Sequence, residues 1–186
     1  GHMSVINKTK KPGLSSVVFT FDDNPQNFFY PNKVKQIYSQ QKKIEIFKKI
    51  GVERLYLIPF KNIFSLTSRE FIEKILIKQL NAKHVSCGFN YRFGSGAKSN
   101  SIDLKKMCET HNIKVDIVNP ILSSSNVISS TKIRELISGG NISSANKMLG
   151  RTMTYKLPVS HGKKIGRKLG FPTVNQIIPD NLVSPK

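Results

Sequence analysis

The chain has 186 residues, room for one domain or one domain plus a piece of another, and its 38% hydrophobic content is enough to bury a core. Its longest apolar runs are strand-sized and no signal-peptide core is visible, which excludes a membrane-spanning helix and points to a soluble, intracellular, cytoplasmic protein. Thirty Lys+Arg against eleven Asp+Glu give +19, which suits polyanions, nucleic acid or the phosphates of nucleotides, but the excess is mostly lysine spread over every segment, as a lysine-rich proteome would also give, so dedicated nucleic-acid binding is a weak expectation.

The first letters, Gly1-His2-Met3, read either as the remnant of a cleaved expression tag or as the tail of a His-x-Gly-His motif. Next come four short runs rich in Val, Ile, Phe or Tyr: SSVVFTF (15–21), RLYLIPF (54–60), HVSCGFN (84–90) and KVDIVNP (114–120). That composition predicts strands. Helical patterns alternate with them. VKQIYSQQKKIEIFKKIG places Ile37, Ile44, Ile46, Phe47 and Ile50 on one face, with Gly51 as its stop. SREFIEKILIKQL has Ser68 as its expected cap, and SIDLKKMCET is the third helix. Strand and helix in alternation predict an α/β fold with an open parallel sheet, whose ligands bind beyond the carboxyl ends of the strands. Cys87 and Cys108 lie in separate elements without a CxxC partner, and are expected to be reduced structural thiols.

Four stretches carry candidate chemistry. TFDDNP (20–25) ends the first strand and places Phe21 and Asn24 beside the expected crevice. Its Asp22 and Asp23 read as metal ligands or bases, or as solvated turn formers. CGFNYRFGSGAKSN (87–100) follows the third strand. Gly88, Gly94 and Gly96 permit close approach of backbone to ligand, Asn90 offers donor and acceptor, and Arg92 and Lys98 suit phosphate; the same loop also reads as a plain turn. Phe89, Tyr91 and Phe93 alternate, so they are not expected to share one face. ISSTKIRE (128–135) sets Ser129, Ser130 and Thr131 at a helix start, with Arg134 one turn on. Free N–H groups, hydroxyls and a guanidinium make an anion site, and the plainer reading is a capping box. GRKLGFPTVN (166–175) puts the Thr173 hydroxyl and the Asn175 amide on one side of an extended chain, oxygens that suit a Mg²⁺–nucleotide. Near residue 150 the helical texture gives way to a Gly- and Pro-rich stretch, and a boundary is placed there, with units 1–152 and 153–186.

Together these motifs resemble the bacterial bifunctional riboflavin kinase/FAD synthetase (FMN adenylyltransferase) family. VSCGFNYRFGSG is similar to its G-x-[DN]-[FY]-x-FG signature, ISSTKIRE to its SSTxxR motif, and GFPTVN to its GFPTAN. The resemblance implies a Rossmann-like nucleotidyltransferase domain in 1–152, followed in 153–186 by the opening segment of a riboflavin kinase β-barrel. It implies transfer of AMP from ATP to FMN, giving FAD and pyrophosphate, with Mg²⁺, and riboflavin phosphorylation in the full-length family. It implies small-molecule substrates and no membrane. By matching position, Gly88, Ser130, Thr131 and Arg134 would hold the nucleotide. Phe21, Asn24, Asn90 and Phe93 would line the flavin side, with Asn90 and Arg134 catalytic. Thr173 and Asn175 would hold Mg²⁺–ATP in the kinase part, and no metal site built from protein ligands alone is expected in the adenylyltransferase part. His2 joins the catalytic set only where Gly1-His2 is native.

Three departures from the family pattern matter. The usual TFxPHP reads TFDDNP, so Asn24 stands where the family has His. Only the opening of the kinase barrel is present, and such a segment is not expected to close a barrel or support kinase activity. The family's first strand and G-x-FD-G-x-H-x-G-H stretch do not precede residue 1, and that strand is central in the sheet. The expectation is therefore a sheet that is split, or filled by another segment; a continuous four-stranded sheet would contradict it.

Overall fold

The computed structural model describes residues 2–123, 126–163 and 165–185. All four expected strands form: β1 (Val17–Phe21), β2 (Arg54–Ile58), β3 (His84–Gly88) and, after two minor strands, β6 (Lys114–Val118). The minor strands β4 (Arg92–Phe93) and β5 (Ser99–Asn100) form an antiparallel pair, as do β7 (Leu122–Ser123) and β8 (Asn126–Val127). The helices are α1 (His2–Thr9), α2 (Pro25–Phe29), α3 (Gln40–Lys49), α4 (Ser68–Glu70), α5 (Ser101–Glu109), α6 (Ser130–Ser138), α7 (Ile142–Leu149) and α8 (Ile165–Lys168).

The sheet is split. β1 runs parallel to β2, from Val17 opposite Arg54 to Phe21 opposite Ile58. β3 runs parallel to β6, from His84 opposite Lys114 to Gly88 opposite Val118. No ladder joins the two pairs among the described residues. Among the described residues each of these four strands keeps one edge without a strand partner, and the split expected from the sequence is what forms. Helix α1 packs over β3 and β6, with Ile6 buried beneath it. Its last residue, Thr9, meets the hydroxyl of Ser16 just before β1 (3.3 Å), and Lys10 donates to the Ile50 carbonyl just before β2 (2.7 Å). The helix therefore runs back along the sheet and points His2 toward the end where the strands finish.

The main core lies under the β3–β6 pair. Leu104 and Cys108 from α5, at 1% and 0% exposure, meet Phe71, Ile72 and Leu76, Cys87 of β3, Phe93 and Ile113. The segment after α4 does not follow the expected α-helix. Phe71–Gln79 is a π-helix, closed by the Leu80 N–H on the Ile75 carbonyl five residues back. Its wider turn still keeps Phe71, Ile72 and Leu76 buried. The cap is Thr67, not Ser68: its hydroxyl accepts from the Glu70 N–H, and the Glu70 carboxylate accepts in return from the Thr67 N–H. Ser68 instead bonds Ser99 across the loop at 2.6 Å, where Gly94, at φ +78, leaves no room for a Cβ. α3 begins at Gln40 under a Ser39 cap, later than the periodicity implied.

A second cluster joins α6 and α7: Ile133, Ile137 and Ala145 close around Val183, with Ile37 and Met153 against them. Val183 lies far along the chain but is tied in from two sides. Its N–H donates to the Gln36 carbonyl (2.9 Å), and its own carbonyl accepts from the Tyr155 hydroxyl (2.6 Å). Between these ties regular structure is sparse: among the described residues of 156–180 the regular elements are α8 and one antiparallel bridge, Ser160 to Asn175. Phe171 there is 78% exposed. No barrel closes among the described residues.

Candidate functional site

The carboxyl ends of β1 and β2 open onto a cleft of about 320 Å³, lined by Asp22, Asp23, Asn24, Asn27, Phe28, Pro59, Phe60 and Lys61. Its apolar wall is built by short-range chemistry. β1 ends in Phe21, Pro59 turns the chain after β2, and Pro25 starts α2, so three aromatic-bearing turns meet. Phe60 is the hub. Phe21 meets it edge-on at 5.3 Å and Phe28 at 5.7 Å, and Phe28 lies 5.0 Å from both Phe29 and Phe64. Phe28, Phe29 and Phe64 are all exposed, Phe29 to 59%. A contiguous apolar patch of this kind marks a binding surface more often than a fold requirement.

The polar wall is a self-consistent turn. Asn24 caps α2 by accepting from the Gln26 N–H at 2.9 Å. The Asp23 carboxylate accepts from the Asn24 N–H (2.6 Å), the Asn27 amide (3.0 Å) and the Gln36 amide (2.8 Å). Desolvation works to raise the Asp23 carboxyl, but those bonds and the charge of Lys43 outweigh it and hold it below its usual range. Asp22 and Asp23 are thus turn formers, the plainer of their two sequence readings. Lys43 donates to the Asp22 carbonyl at 2.9 Å; burial lowers its ammonium, partly offset by Asp23 and Asp22.

At the end of β3, Gly88 is followed by a tight turn, with the Tyr91 N–H on the Gly88 carbonyl at 3.0 Å. Asn90 is exposed there, and its side-chain oxygen lies over Gly88, 3.3 Å from where a Cβ would stand. Gly88 therefore leaves the space that Asn90 uses. The three aromatics of this loop do not share one face, as expected. Tyr91 and Phe93 stack at 5.8 Å, and Phe93 is buried against Phe71. Phe93, expected on the flavin side, keeps its ring in the core; Phe89 is the exposed aromatic of this loop.

Ser129 caps α6 by accepting from the Lys132 N–H at 3.2 Å, so Ser130 and Thr131 stand at the first turn with the free N–H groups. The capping-box alternative does not form, because the residue three past the Ser129 cap is Lys132 rather than Glu; Glu135, a turn further on, pairs with Lys132. Arg134 donates from Nε to the Lys35 carbonyl at 2.6 Å, and burial holds its guanidinium below its ordinary value. Lys35 precedes Gln36, which bonds Asp23. A continuous run of hydrogen bonds thus leads from α6 to the wall of the cleft. This link has no local sequence signal.

Thr173 and Asn175 are both exposed, and the Asn175 carbonyl accepts from the Ser160 N–H at 2.9 Å. Gly166 lies against Thr173, and Gly162 against the Asn175 amide, with no space for side chains. Nothing brings Thr173 and Asn175 to the aromatic cleft, so they form a separate locus. Among the described residues no cluster of three or more His, Cys, Asp or Glu is placed to hold a metal ion, and no helix is long and apolar enough to cross a membrane. Burial pushes the Cys87 and Cys108 thiols up to about 11, as befits packed, unreactive groups. Gly1 lies outside the described residues.

Residues 1–132 match the FAD synthetase family and residues 149–186 match riboflavin kinase. The chain is 35% identical over 193 residues to a bifunctional riboflavin kinase/FMN adenylyltransferase of Listeria monocytogenes, covering 100% of this chain and 61% of that one. It is 34% identical over 189 residues to the protein of that description from Buchnera aphidicola subsp. Schizaphis graminum, covering 98% and 61%. Its fold is similar to the crystal structure of a Streptococcus pneumoniae protein described as a macrolide-efflux protein. That match has a TM-score of 0.85 and 34% identity, and covers 99% of this chain and 62% of that one. The chain spans about three fifths of the length of these relatives.

Proposed function

This chain belongs to the FAD synthetase family, and from that premise we propose that it binds FMN and Mg²⁺–ATP and transfers AMP to the FMN phosphate in FAD biosynthesis. The observation that carries the reading is the aromatic-walled cleft at the ends of β1 and β2, joined to the first turn of α6 through Arg134, Lys35 and Gln36. An isoalloxazine is a flat apolar ring with a polar edge, and the rings of Phe28 and Phe60 offer it edge and face contacts beside the amides of Asn24 and Asn27. The helix start at Ser130 and Thr131 suits the phosphates of ATP, and Arg134 adds charge. Gly88 and Asn90 lie between flavin phosphate and nucleotide, where a side chain at 88 would block approach.

The reaction is positioning chemistry. An FMN phosphate oxygen attacks the α-phosphorus of ATP, the bond to the β-phosphate oxygen breaks, and pyrophosphate leaves with that electron pair. Catalysis then rests on holding two polyanions in line and neutralising the growing charge. Asn90 and Arg134 are the residues for that task. His2 adds to it if native; the family match takes in residues 1 and 2. Mg²⁺ comes with the nucleotide phosphates, which is how this ion is commonly held. In the riboflavin kinase segment the Thr173 hydroxyl and Asn175 amide are oxygen donors that fit a second Mg²⁺–ATP, for riboflavin phosphorylation by the longer relatives. The net charge of +19 serves these phosphates rather than nucleic acid, and the cytoplasm is where such substrates reside.

The test is direct. Purified protein with FMN, ATP and Mg²⁺ is expected to yield FAD and pyrophosphate in equal amounts, and to lose that yield with Asn90→Ala or Arg134→Ala. Saturable FMN and ATP binding with no FAD would restrict the chain to binding. Failure to bind either one would refute the reading.

A further inference from the structure

The Lys35–Gln36 dipeptide sits at a junction of three parts of the molecule. Toward α6, the Lys35 carbonyl accepts from Arg134 Nε at 2.6 Å. Toward the riboflavin kinase segment, the Gln36 N–H donates to the Asn181 carbonyl at 2.7 Å and the Gln36 carbonyl accepts from the Val183 N–H at 2.9 Å. Both backbone groups of Gln36 are thereby held by residues about 145 positions along the chain, in a short parallel bridge to Leu182. Toward the cleft, the Gln36 side-chain amide donates to Asp23 at 2.8 Å.

The anchor on the kinase side is firm. Leu182 and Val183 are buried, Val183 in the α6–α7 cluster, and the Tyr155 hydroxyl fixes the Val183 carbonyl at 2.6 Å. The cleft side is soft. Asp22, Asp23 and Asn24 lie in a surface turn; its backbone is tied to β2 by the Asp22 N–H on the Ile58 carbonyl (3.3 Å) and to α3 by Lys43, while among the described bonds to the Asp23 carboxylate the Gln36 amide is the one that comes from outside the 22–34 loop. A group whose backbone is pinned in a buried anchor and whose side chain ends on a ligand-lining carboxylate transmits the position of one to the other.

We propose that Gln36 is a positioning residue through which the riboflavin kinase segment sets the Asp22–Asn24 wall of the FMN cleft. This rests on the reading of that cleft as the FMN site. Its consequence is a regulatory link: displacement of residues 181–183 in the kinase segment changes FMN affinity in the adenylyltransferase part, with no shared ligand. The chemistry makes the link useful, because a riboflavin kinase releases FMN, the molecule this cleft would accept.

The experiment titrates FMN by its own fluorescence, and ATP by calorimetry, into the full chain and its variants. Gln36→Leu keeps the backbone bridge and removes the amide. It is expected to raise the FMN Kd about tenfold, the scale of a lost bond to a charged group, while the ATP Kd stays within about twofold and the melting temperature within a few degrees. In an Asp23→Ala background the same substitution should cost nothing further, because the amide acts through that carboxylate. Tyr155→Phe, remote from the cleft, should raise the FMN Kd by a smaller factor. An unchanged FMN Kd in Gln36→Leu, or an equal loss with and without Asp23, overturns the proposal, and an unchanged Kd in Tyr155→Phe removes the kinase segment from it. If the parent chain itself fails to bind FMN, the reading of the cleft falls first, and the proposal with it.

Discussion

The two halves of the split sheet are built from similar sequence and end up in different states. The β3–β6 half sits on a closed core, with Leu104, Cys108 and Ile72 almost fully buried beneath it. The β1–β2 half has no fully buried strand residue, and three of its phenylalanines, Phe28, Phe29 and Phe64, stay at the surface. Apolar content alone does not separate them, since VVFTF is more apolar than HVSCG and yet has no fully buried residue. What separates them is helix cover. α1 and α5 cover the β3–β6 half above the π-helical segment, whereas the β1–β2 half reaches that core through Phe19, 5.9 Å from Phe71, and otherwise meets short turns that bring aromatic rings together without enclosing them. Stability therefore resides in one half and unfilled apolar surface, the raw material of a binding site, in the other.

The largest expected effect tests the stable half. Leu104→Ala should lower the urea-unfolding free energy by about 2–5 kcal/mol, because a fully buried leucine leaves a cavity that the core fills only in part. A loss under about 1 kcal/mol would mean that the β3–β6 half is not the stability centre. Next comes Phe28→Ala in the open half. It should cost little stability, since much of the ring already faces water, but weaken FMN by about tenfold, the worth of one aromatic contact to a flat ring. A variant that unfolds while FMN affinity holds would reverse the roles of the halves.

Arg134→Lys should weaken ATP several-fold, because lysine lacks the planar fork that binds phosphate bidentately. Equal ATP affinity in a calorimetric titration would remove Arg134 from the phosphate site. The smallest effect belongs to Thr67→Ala, which removes a cap worth about 1 kcal/mol. Its pH dependence is specific. Lys74 beside Glu70, with the Thr67 N–H and hydroxyl, holds the Glu70 carboxyl down at about 2, below its ordinary 4.5. A depressed folded value stabilises above the unfolded one, so the contribution is whole above about pH 5 and fades as the pH falls toward 2. Of these partners the variant keeps Lys74 and the backbone N–H at 67 and loses only the hydroxyl, so the stability gap between parent and variant should narrow slightly from pH 7 to pH 3 in urea melts, and a gap that widens as the pH falls would contradict the bond from the Thr67 hydroxyl to the Glu70 carboxylate.

Much of this was legible in the sequence, for local reasons. The four main strands follow from dense β-branched and aromatic runs, the positions of Phe21, Gly88 and Asn90 at the carboxyl ends of β1 and β3 follow from the alternation of strand and helix, and Ser130 at a helix start follows from the Ser-Ser-Thr run before the apolar period of α6. The split sheet was expected from the family's strand order. The errors share a cause. Ser68 looked like a cap by type, but Thr67 has the Glu three residues on, and Ser68 is drawn to Ser99 from thirty-one residues away. Phe93 was placed on the flavin side by matching position in the family motif, whereas its ring packs on Phe71 in the core. Phe28 and Phe60 were not singled out, since their meeting depends on two turns that belong to different strands. Gln36 carried no signal at all, as each of its partners lies at long or medium range.

The measurement that bears most directly on the two-halves account is a fluorescence titration of FMN into the parent chain and Phe28→Ala, with Mg²⁺–ATP present and the urea midpoint of each recorded alongside. The account predicts saturable binding by the parent, binding weakened about tenfold in the variant, and near-equal midpoints. A folded parent that does not quench FMN, or a variant that binds FMN as the parent does, would contradict it.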